Sequence, residues 1–214
     1  MDNTVGSLTE VQKSVVIGCL LGDGYLRQLK GRRNAFLEIN HSFKQKDYVD
    51  WKYSVLKNIC KSGPKSRKYS NRVAYRFYTK AHLKLTELLE VFYKDGKKQV
   101  PDFDMDPLVL AVWFMDDGSM VSESDVYLNT QQFSDKDQRK LLKKLALIGI
   151  IGKLNKDKQY KKFEKLLKEA FYPIASDPKF LKLTKEWKED NKYKWDTSIP
   201  KIIDNLIVGS FDKK

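Results

Sequence analysis

Two apolar segments of helix length, each ending in an Asp-Gly pair, constrain the fold of this chain more than any other feature. The first reads VVIGCLLGDGYL over Val15–Leu26, and the second reads VLAVWFMDDGSM over Val109–Met120. Their acidic residues, Asp23 and Asp117, stand 94 positions apart. A single Asp-Gly after a buried helix is an ordinary turn. Its recurrence at the end of both apolar segments indicates a shared role.

The segments that follow the two apolar runs are also alike. FLEINHSFKQKD at Phe36–Asp47 matches VYLNTQQFSDKD at Val126–Asp137, at an offset close to 90 residues. A period of that length is too long for a solenoid and indicates a duplicated domain. We therefore predict an N-terminal half (1–95), a linker (96–105), a C-terminal half (106–183) and a C-terminal extension without a counterpart (184–214).

Hydrophobic periodicity predicts the order α-β-β-α-β-β-α in the first half and a weaker copy in the second. The predicted fold class is α+β, with two antiparallel sheets related by a pseudo-twofold axis. The first helix is expected at about Leu8–Leu21, opened by a capping box of Ser7 and Glu10. The other predicted elements include strands at Tyr25–Lys30, Ala35–Ser42, Ser119–Val121 and Val126–Gln132, hairpins at Pro64–Thr79 and Ile150–Tyr160, and helices at Pro107–Asp116 and Phe163–Phe171.

The charge balance favours a polyanionic partner over a merely soluble, lysine-rich surface. Lys and Arg number 41 against 28 acidic residues, which gives a net charge of +13. The longest apolar runs fall well short of the ~20 residues of a membrane span. Two cysteines and two histidines offer no zinc-ligand spacing. No targeting signal is recognisable, so we expect an intracellular protein, in an organelle matrix or a prokaryotic cytoplasm.

The two Asp-Gly acids are unfavourably placed unless a cation compensates them. A carboxylate at the C-terminal end of a helix meets the negative end of the helix dipole, at a cost of about 0.3–1 kcal/mol. If the two apolar helices pack side by side, the carboxylates of Asp23 and Asp117 converge. Mg²⁺, which prefers oxygen ligands, is the simplest candidate. The glycine after each acid suits a left-handed helix cap.

The two motifs resemble those of the LAGLIDADG homing endonucleases, in the single-chain form with two motifs. The resemblance falls on Val16–Gly24 and Leu110–Gly118, and LNTQQF at Leu128–Phe133 is similar to the intron-encoded branch. It implies a DNA-binding saddle of two four-stranded antiparallel sheets, with the motif helices in the centre. It further implies a metal-dependent double-strand break at a long, asymmetric DNA site.

The resemblance also implies roles for individual residues. The motif acids of the family bind Mg²⁺, and we expect Mn²⁺ to substitute and Ca²⁺ to support binding with poor turnover. A basic residue is expected near each active site. The candidates are Asp23 and Asp117 as catalytic metal ligands, Gly22 and Asp116 as further ligands, and Lys98 and Lys182 as catalytic lysines. His41 and His82 are expected to be structural or DNA-facing rather than catalytic.

Strand alternation predicts which side chains face the DNA. If Leu37 and Ile39 point to the helices, their neighbours point outward, where side chains of this kind read base edges in the major groove. The candidates for this face are Tyr25, Arg27, Glu38, Asn40, Arg72, Arg76, Tyr127, Asn129 and Gln131. Basic residues expected in turns, where they would hold phosphates, are Lys30, Arg32, Arg33, Lys65, Arg67 and Lys68.

Three functions remain open at this point. The leading hypothesis is a monomeric, site-specific endonuclease acting on double-stranded DNA, because the duplication replaces a dimer. The alternative is an RNA-binding intron maturase on the same scaffold, with host intron RNA as its partner. A basic structural protein or transcription factor would leave the paired acids unexplained.

Overall fold

The computed structural model of the chain describes residues 7–70, 72–120, 126–152 and 154. These residues belong to two compact units, Met1–Pro101 and Asp102–Lys214. Most of the predicted hairpin at 150–160 lies outside the described residues. So do the predicted helix at 163–171, the candidate lysine Lys182 and the extension at 184–214.

The first unit has the predicted order α-β-β-α-β-β-α, followed by a two-stranded hairpin. Its helices are α1 (Glu10–Leu21), α2 (Lys46–Leu56) and α3 (Leu83–Phe92). Its strands are β1 (Tyr25–Arg27), β2 (Phe36–Ser42), β3 (Lys65–Lys68), β4 (Val73–Tyr78), β5 (Tyr93–Lys94) and β6 (Lys97–Lys98). Short 3₁₀ turns precede and follow α2, at Phe43–Gln45 and Lys57–Ile59.

Strands β1 to β4 form one antiparallel sheet in the order β1-β2-β4-β3. One face carries the apolar core, because Leu37 and Ile39 of β2 and Phe77 of β4 are all at most 2% exposed. Their neighbours Glu38 and Asn40 are half-buried and belong to the opposite face. The predicted inward and outward alternation of β2 is confirmed.

The first helix begins later than predicted. Its N-cap is Thr9, whose hydroxyl accepts a hydrogen bond from the backbone of Gln12, and the Gln12 side chain accepts one from the backbone of Thr9. The prediction of a capping box at Ser7 and Glu10 is therefore wrong by two residues. A Thr-x-x-Gln box satisfies the same two backbone groups as the predicted pair.

The glycines of the two Asp-Gly pairs serve close packing rather than a left-handed cap. Positive φ values among the described glycines occur at Gly31, Gly96 and Gly149, so the predicted left-handed caps are wrong. A Cβ on Gly24 would lie 2.7 Å from Cys19 Cβ and 2.8 Å from Cys19 O, and a Cβ on Gly118 would collide with Phe114. After α1 and again after the second apolar segment, the backbone therefore turns back tightly over the last turn of the helix.

Substitution of Gly24 by alanine is expected to lower the free energy of unfolding by about 1–3 kcal/mol, the cost of overpacking a tight core. Thermal unfolding of Gly24→Ala measures the effect. Gly63→Ala is the matched control, because the nearest atom to its new Cβ would be 3.8 Å away. Equal melting temperatures for the two variants would show that the strand can move away from Cys19.

The described part of the second unit begins with the same order, helix-strand-strand-helix. Its elements are α4 (Pro107–Asp117), β7 (Gly118–Met120), β8 (Val126–Leu128) and α5 (Asp135–Leu147). Strands β7 and β8 pair antiparallel, and β8 ends at Leu128 rather than at the predicted Gln132. A turn replaces its end, closed by a hydrogen bond from Phe133 N to Thr130 O.

Helices alternate along the chain with pairs of strands that pair antiparallel, and the predicted α+β class is confirmed. No helix in the described part of the chain is long and apolar enough to cross a bilayer.

Candidate functional site

Asp23 lies just beyond the end of α1, where the chain turns into the sheet. The helix ends at Leu21, Gly22 is its C-cap, and Gly24 N donates a 2.7 Å hydrogen bond back to Cys19 O. The Asp23 side chain is 48% exposed, and its Oδ2 lies 3.5 Å from His41 Nδ1. The tight turn thus presents a carboxylate that solvent and a ligand can reach.

Lys98 contacts the backbone of the residue before Asp23 because a short hairpin places it there. Strands β5 and β6 are joined by Asp95 and Gly96, both with positive φ, as in the Asp-Gly turns typical of hairpins. Lys98 Nζ donates a 2.6 Å hydrogen bond to the carbonyl of Gly22, the residue before Asp23. Lys98 is thus held by the backbone of the turn that carries Asp23.

The same hairpin is anchored on the sheet by Tyr93. Its phenolic oxygen accepts a 3.3 Å hydrogen bond from Leu26 N, and its ring packs edge-on against Tyr25. Burial raises the pKa of Tyr93 to about 12, so the phenol stays protonated over the working range of proteins. This anchor fixes Lys98, whose backbone pairs with Tyr93 across the hairpin.

Two buried polar residues, not predicted from the sequence as part of a site, lie behind Asp23. His41 of β2 is 5% exposed, and Lys52 of α2 is fully buried. Lys52 Nζ lies 3.1 Å from His41 Nε2 and 4.2 Å from the centre of the Tyr48 ring. The sequence does contain a signal for the burial of both residues. Alternation places His41 on the core face of β2, and Lys52 follows Tyr48 by one helical turn on the apolar face of α2.

In the second unit, Asp117 is the last residue of α4 and differs from Asp23 in its surroundings. Its Oδ2 accepts a 3.3 Å hydrogen bond from Gln132 Nε2, and its backbone carbonyl accepts one from Asn129 N at 3.0 Å. Asp116, the other candidate ligand, is the preceding residue of the helix. Gln132 was not predicted from the sequence, since the strand was expected to continue through it.

The sheet of the first unit has an open face formed by cross-strand rows of polar side chains. Cross-strand partners share a face, and the register aligns Tyr25 with Glu38 and Tyr78, and Asn40 with Arg76 and Lys65. We call this surface the open face. Five residues predicted for the DNA-reading face lie on it, together with two predicted phosphate contacts: Tyr25, Arg27, Glu38, Asn40 and Arg76, and then Lys65 and Arg67.

The open face is held in order by its own contacts. Arg27 Nη1 lies 3.0 Å from Glu38 Oε2, and Tyr78 Oη donates to Glu38 Oε1 at 3.5 Å. Burial, and then the Glu38 carboxylate, raises the pKa of Tyr78. The guanidinium of Arg76 lies 5.5 Å from the Tyr78 ring centre. Glu38 therefore fixes Arg27 and Tyr78 at the same time.

Asn40 carries an unused acceptor on this face. Its Oδ1 is buried and has no hydrogen-bond partner among the described residues. An unpaired buried polar atom is costly unless a ligand supplies its partner. A side-chain amide is the group that pairs with adenine in the major groove.

Some basic residues lie elsewhere than predicted. The prediction that Lys65, Arg67 and Lys68 lie in turns is wrong, because they form strand β3. The prediction that Arg72 lies on the fourth strand is also wrong, since β4 begins at Val73. Arg67 and Arg72 instead flank the ring of Tyr69, with guanidinium carbons 5.3 and 5.8 Å from its centre. Lys30, Arg32 and Arg33 lie exposed in the connection between β1 and β2, as predicted.

The three DNA-facing candidates of the second unit line one cavity of about 230 Å³. Tyr127 belongs to β8, whereas Asn129 and Gln131 follow its end. Leu141, Leu142 and Leu145 of α5 form another part of the same wall. The shortened strand explains this placement, because alternation no longer applies after Leu128.

The donors available for a metal ion are few in each unit. Within the described residues, no group of three or more His, Cys, Asp or Glu side chains is arranged to hold an ion. Asp23 nevertheless offers a half-exposed carboxylate beside the Gly22 carbonyl. Mg²⁺ usually keeps several waters and binds through one or two carboxylates together with substrate phosphates. The residues present therefore fit a magnesium-type site that substrate completes.

Several known proteins are similar to this chain in sequence. RecA of Mycolicibacterium chitae is 35% identical over 125 residues, covering 55% of this chain and 28% of the relative. The chain thus spans less than a third of the length of the RecA relatives it matches. A probable intron-encoded endonuclease of Wickerhamomyces canadensis is 26% identical over 188 residues, covering 79% of this chain and 80% of the relative.

A solved structure and a family model extend over most of the chain. The homing endonuclease I-WcaI, bound to its DNA recognition sequence, has a TM-score of 0.66 and 25% identity, covering 83% of this chain and 88% of that one. The model of the LAGLIDADG DNA endonuclease family matches residues 13–172. With two Asp-Gly acids at helix ends and an open polar sheet face beside the first, the chain belongs to the LAGLIDADG DNA endonuclease family.

Proposed function

We propose that the protein is a homing endonuclease that binds a long, asymmetric site on double-stranded DNA as a monomer and hydrolyses both strands. The observation that carries this proposal is the closeness of acid and open face in the first unit. Strand β1 begins at Tyr25, two residues after Asp23. DNA lying on the open face would therefore bring its backbone to the Asp23 carboxylate and to Lys98.

The residues near the motif acids have two tasks, which are to bind the cation and to stabilise charge on the phosphate. Asp23 and Asp117 each offer a carboxylate ligand for a divalent cation, Mg²⁺ by preference, with Gly22 and Asp116 as weaker candidates. The cation, when bound, would supply a water of lowered pKa and stabilise charge on the phosphate. Lys98, held 2.6 Å from the Gly22 carbonyl, donates a hydrogen bond toward the reacting phosphate. Lys182 remains a candidate for the corresponding role in the second half.

In this proposal the open face contacts the bases, and the exposed loop between β1 and β2 contacts the phosphates. Arg76 and Asn40 share one cross-strand row and carry the groups that pair with guanine and adenine in the major groove. Lys30, Arg32 and Arg33 are exposed and suit phosphates. Tyr127, Asn129 and Gln131 are proposed to add contacts from the second half.

The test is incubation of the protein with a library of randomised duplex sites and Mg²⁺, with the cut ends mapped by sequencing. We expect breaks in both strands at one long sequence and none in the presence of EDTA. Mn²⁺ should support cutting, whereas Ca²⁺ should support binding alone. Binding of structured intron RNA without any cut DNA would contradict the proposal and favour the maturase alternative.

DNA binding should weaken steeply with salt. The open face carries Arg27, Lys65, Arg67 and Arg76, so we expect a slope of log K against log salt of about −3 or steeper, since each neutralised phosphate contributes about −0.9. Titration of the mapped site at several salt concentrations measures it. Arg67→Gln should make the slope shallower by about 0.9. Lys84→Gln, on α3 and paired with Glu87, is the control and should not change it.

A further inference from the structure

Behind the half-exposed Asp23, the structure holds a line of two buried polar side chains. Lys52 Nζ lies 3.1 Å from His41 Nε2, and His41 Nδ1 lies 3.5 Å from Asp23 Oδ2. Lys52 is fully buried and His41 is 5% exposed. Tyr48 closes one side of the line, with its ring edge-on to His41 and beneath the Lys52 amine.

The direction of the hydrogen bonds follows from the chemistry of the groups. A lysine ammonium has three donors and no acceptor, so the ammonium form of Lys52 donates to His41 Nε2. The ring proton of a neutral His41 is then on Nδ1, the nitrogen that faces Asp23. The contact of 3.5 Å is long for a hydrogen bond, and such contacts often tighten only when substrate is bound.

Asp23 has a particular need for such a donor. It lies beyond the last residue of α1, so the helical backbone does not fix its side chain, and its carboxylate meets the negative end of the helix dipole. Asp117, in contrast, is itself the last helical residue and accepts from Gln132. The two motif acids are therefore held by different means.

We propose that Lys52 and His41 act as positioning residues for Asp23, with Lys52 fixing the Nδ1–H tautomer of His41 and His41 fixing the Asp23 carboxylate. One carboxylate oxygen is then held by the imidazole, and the other is directed outward for a cation. This inference rests on the proposed function, in which Asp23 is a metal ligand. It assigns a function to two residues that sequence alternation alone would treat as core.

The tautomer can be read directly by long-range ¹H–¹⁵N NMR of the metal-free protein. The chain has two histidines, and they are expected to differ. His82 Nδ1 accepts from Lys84 N at 3.0 Å, so His82 should carry its proton on Nε2. His41 should carry it on Nδ1. His82→Asn assigns the two signals, and Lys52→Met should abolish the preference at His41. A proton on Nε2 of wild-type His41 would overturn the proposal.

Cleavage of the mapped site, with protein in excess over DNA, tests the consequence. His41→Leu should slow cutting by about 10- to 100-fold, the usual effect of losing an outer-shell partner. His41→Asn, whose amide replaces Nδ1–H, should recover most of the rate. His82→Asn should cut at the wild-type rate. Melting temperatures set an assay temperature at which every variant is folded.

The outcomes separate this inference from the proposed function. If the wild type cuts its site and His41→Leu cuts equally fast, the positioning role is wrong and the endonuclease function stands. If His41→Asn and His41→Leu are equally slow although folded, loss of packing explains the defect and the hydrogen-bond role is wrong. A wild type that cuts no DNA would contradict the proposed function itself.

Discussion

Replacing Asp23 or Asp117 by asparagine should cripple cleavage while leaving DNA binding intact or tighter. Each change removes the carboxylate proposed to bind the cation but keeps the size of the side chain. Lewis-acid stabilisation by a bound cation is worth several kcal/mol, and each step of about 1.4 kcal/mol is tenfold in rate, so we expect cutting to slow by about 10²-fold or more. Removing a negative charge near the DNA phosphates should not weaken binding. Cleavage time courses in Mg²⁺ and binding titrations in Ca²⁺ measure the two effects.

Asp116→Asn is the matched control for the Asp117 variant, because it removes the same charge from the adjacent position of α4. We expect a much smaller effect, since only one of two consecutive helical side chains can point toward a given ligand. Full cleavage by the Asp23 or Asp117 variant would contradict the metal-site assignment. Inactive Asp116→Asn beside active Asp117→Asn would show that the ligand is the other member of the pair.

The sequence contained enough to predict the sheet of the first unit and the faces of its strands. Period-two alternation in FLEINHS placed Leu37 and Ile39 in the core and left Glu38 and Asn40 outside, and the register confirms it. The ends of the strands were harder to predict from the sequence. Lys65 to Lys68 is a run of exposed residues without alternation, so nothing in it distinguishes a strand from a turn until β4 provides a partner.

The glycines of the two Asp-Gly pairs show why the sequence rule for left-handed helix caps failed at the ends of α1 and α4. Gly24 and Gly118 suited a left-handed cap by composition, but their requirement comes from the side chains and carbonyls of Cys19 and Phe114 four or five residues earlier. That requirement is steric and depends on the path of the following strand. The hairpin that carries Lys98 was predicted as a linker, although its Asp95-Gly96 pair is a local signal for a hairpin turn.

The surroundings of Asp23 depended on long-range packing. His41 was predicted to be structural or DNA-facing, and its burial beside Asp23 arises only when β2 pairs with β1 and α2 covers the sheet. Lys52 lies 11 residues from His41 in the chain and meets it from the helix. A buried lysine is rare unless paired. Its place on the apolar face of α2 was the one clue that the sequence provided.

The second large effect is expected at Lys98. Its Nζ is held at the Gly22 carbonyl, beside Asp23, by a hairpin anchored through Tyr93. A fixed cationic donor stabilises charge that develops on a phosphate, and loss of one such donor typically costs about 10²–10³ in rate. Lys98→Met should therefore slow cleavage by about 10²-fold. Its effect on DNA affinity should stay below about fivefold, since an ordinary exposed ion pair is worth at most about 1 kcal/mol.

Lys97→Met is the matched control, because Lys97 is the exposed neighbour of Lys98 on the same strand and removes the same charge. It should reduce affinity as much as Lys98→Met does and leave the cleavage rate of bound DNA unchanged. Single-turnover cleavage and binding titrations on one mapped duplex compare the two variants. Equal losses in rate and affinity for Lys98→Met would make this lysine a phosphate clamp. The charge at the end of α1 would then have to be balanced by the cation alone.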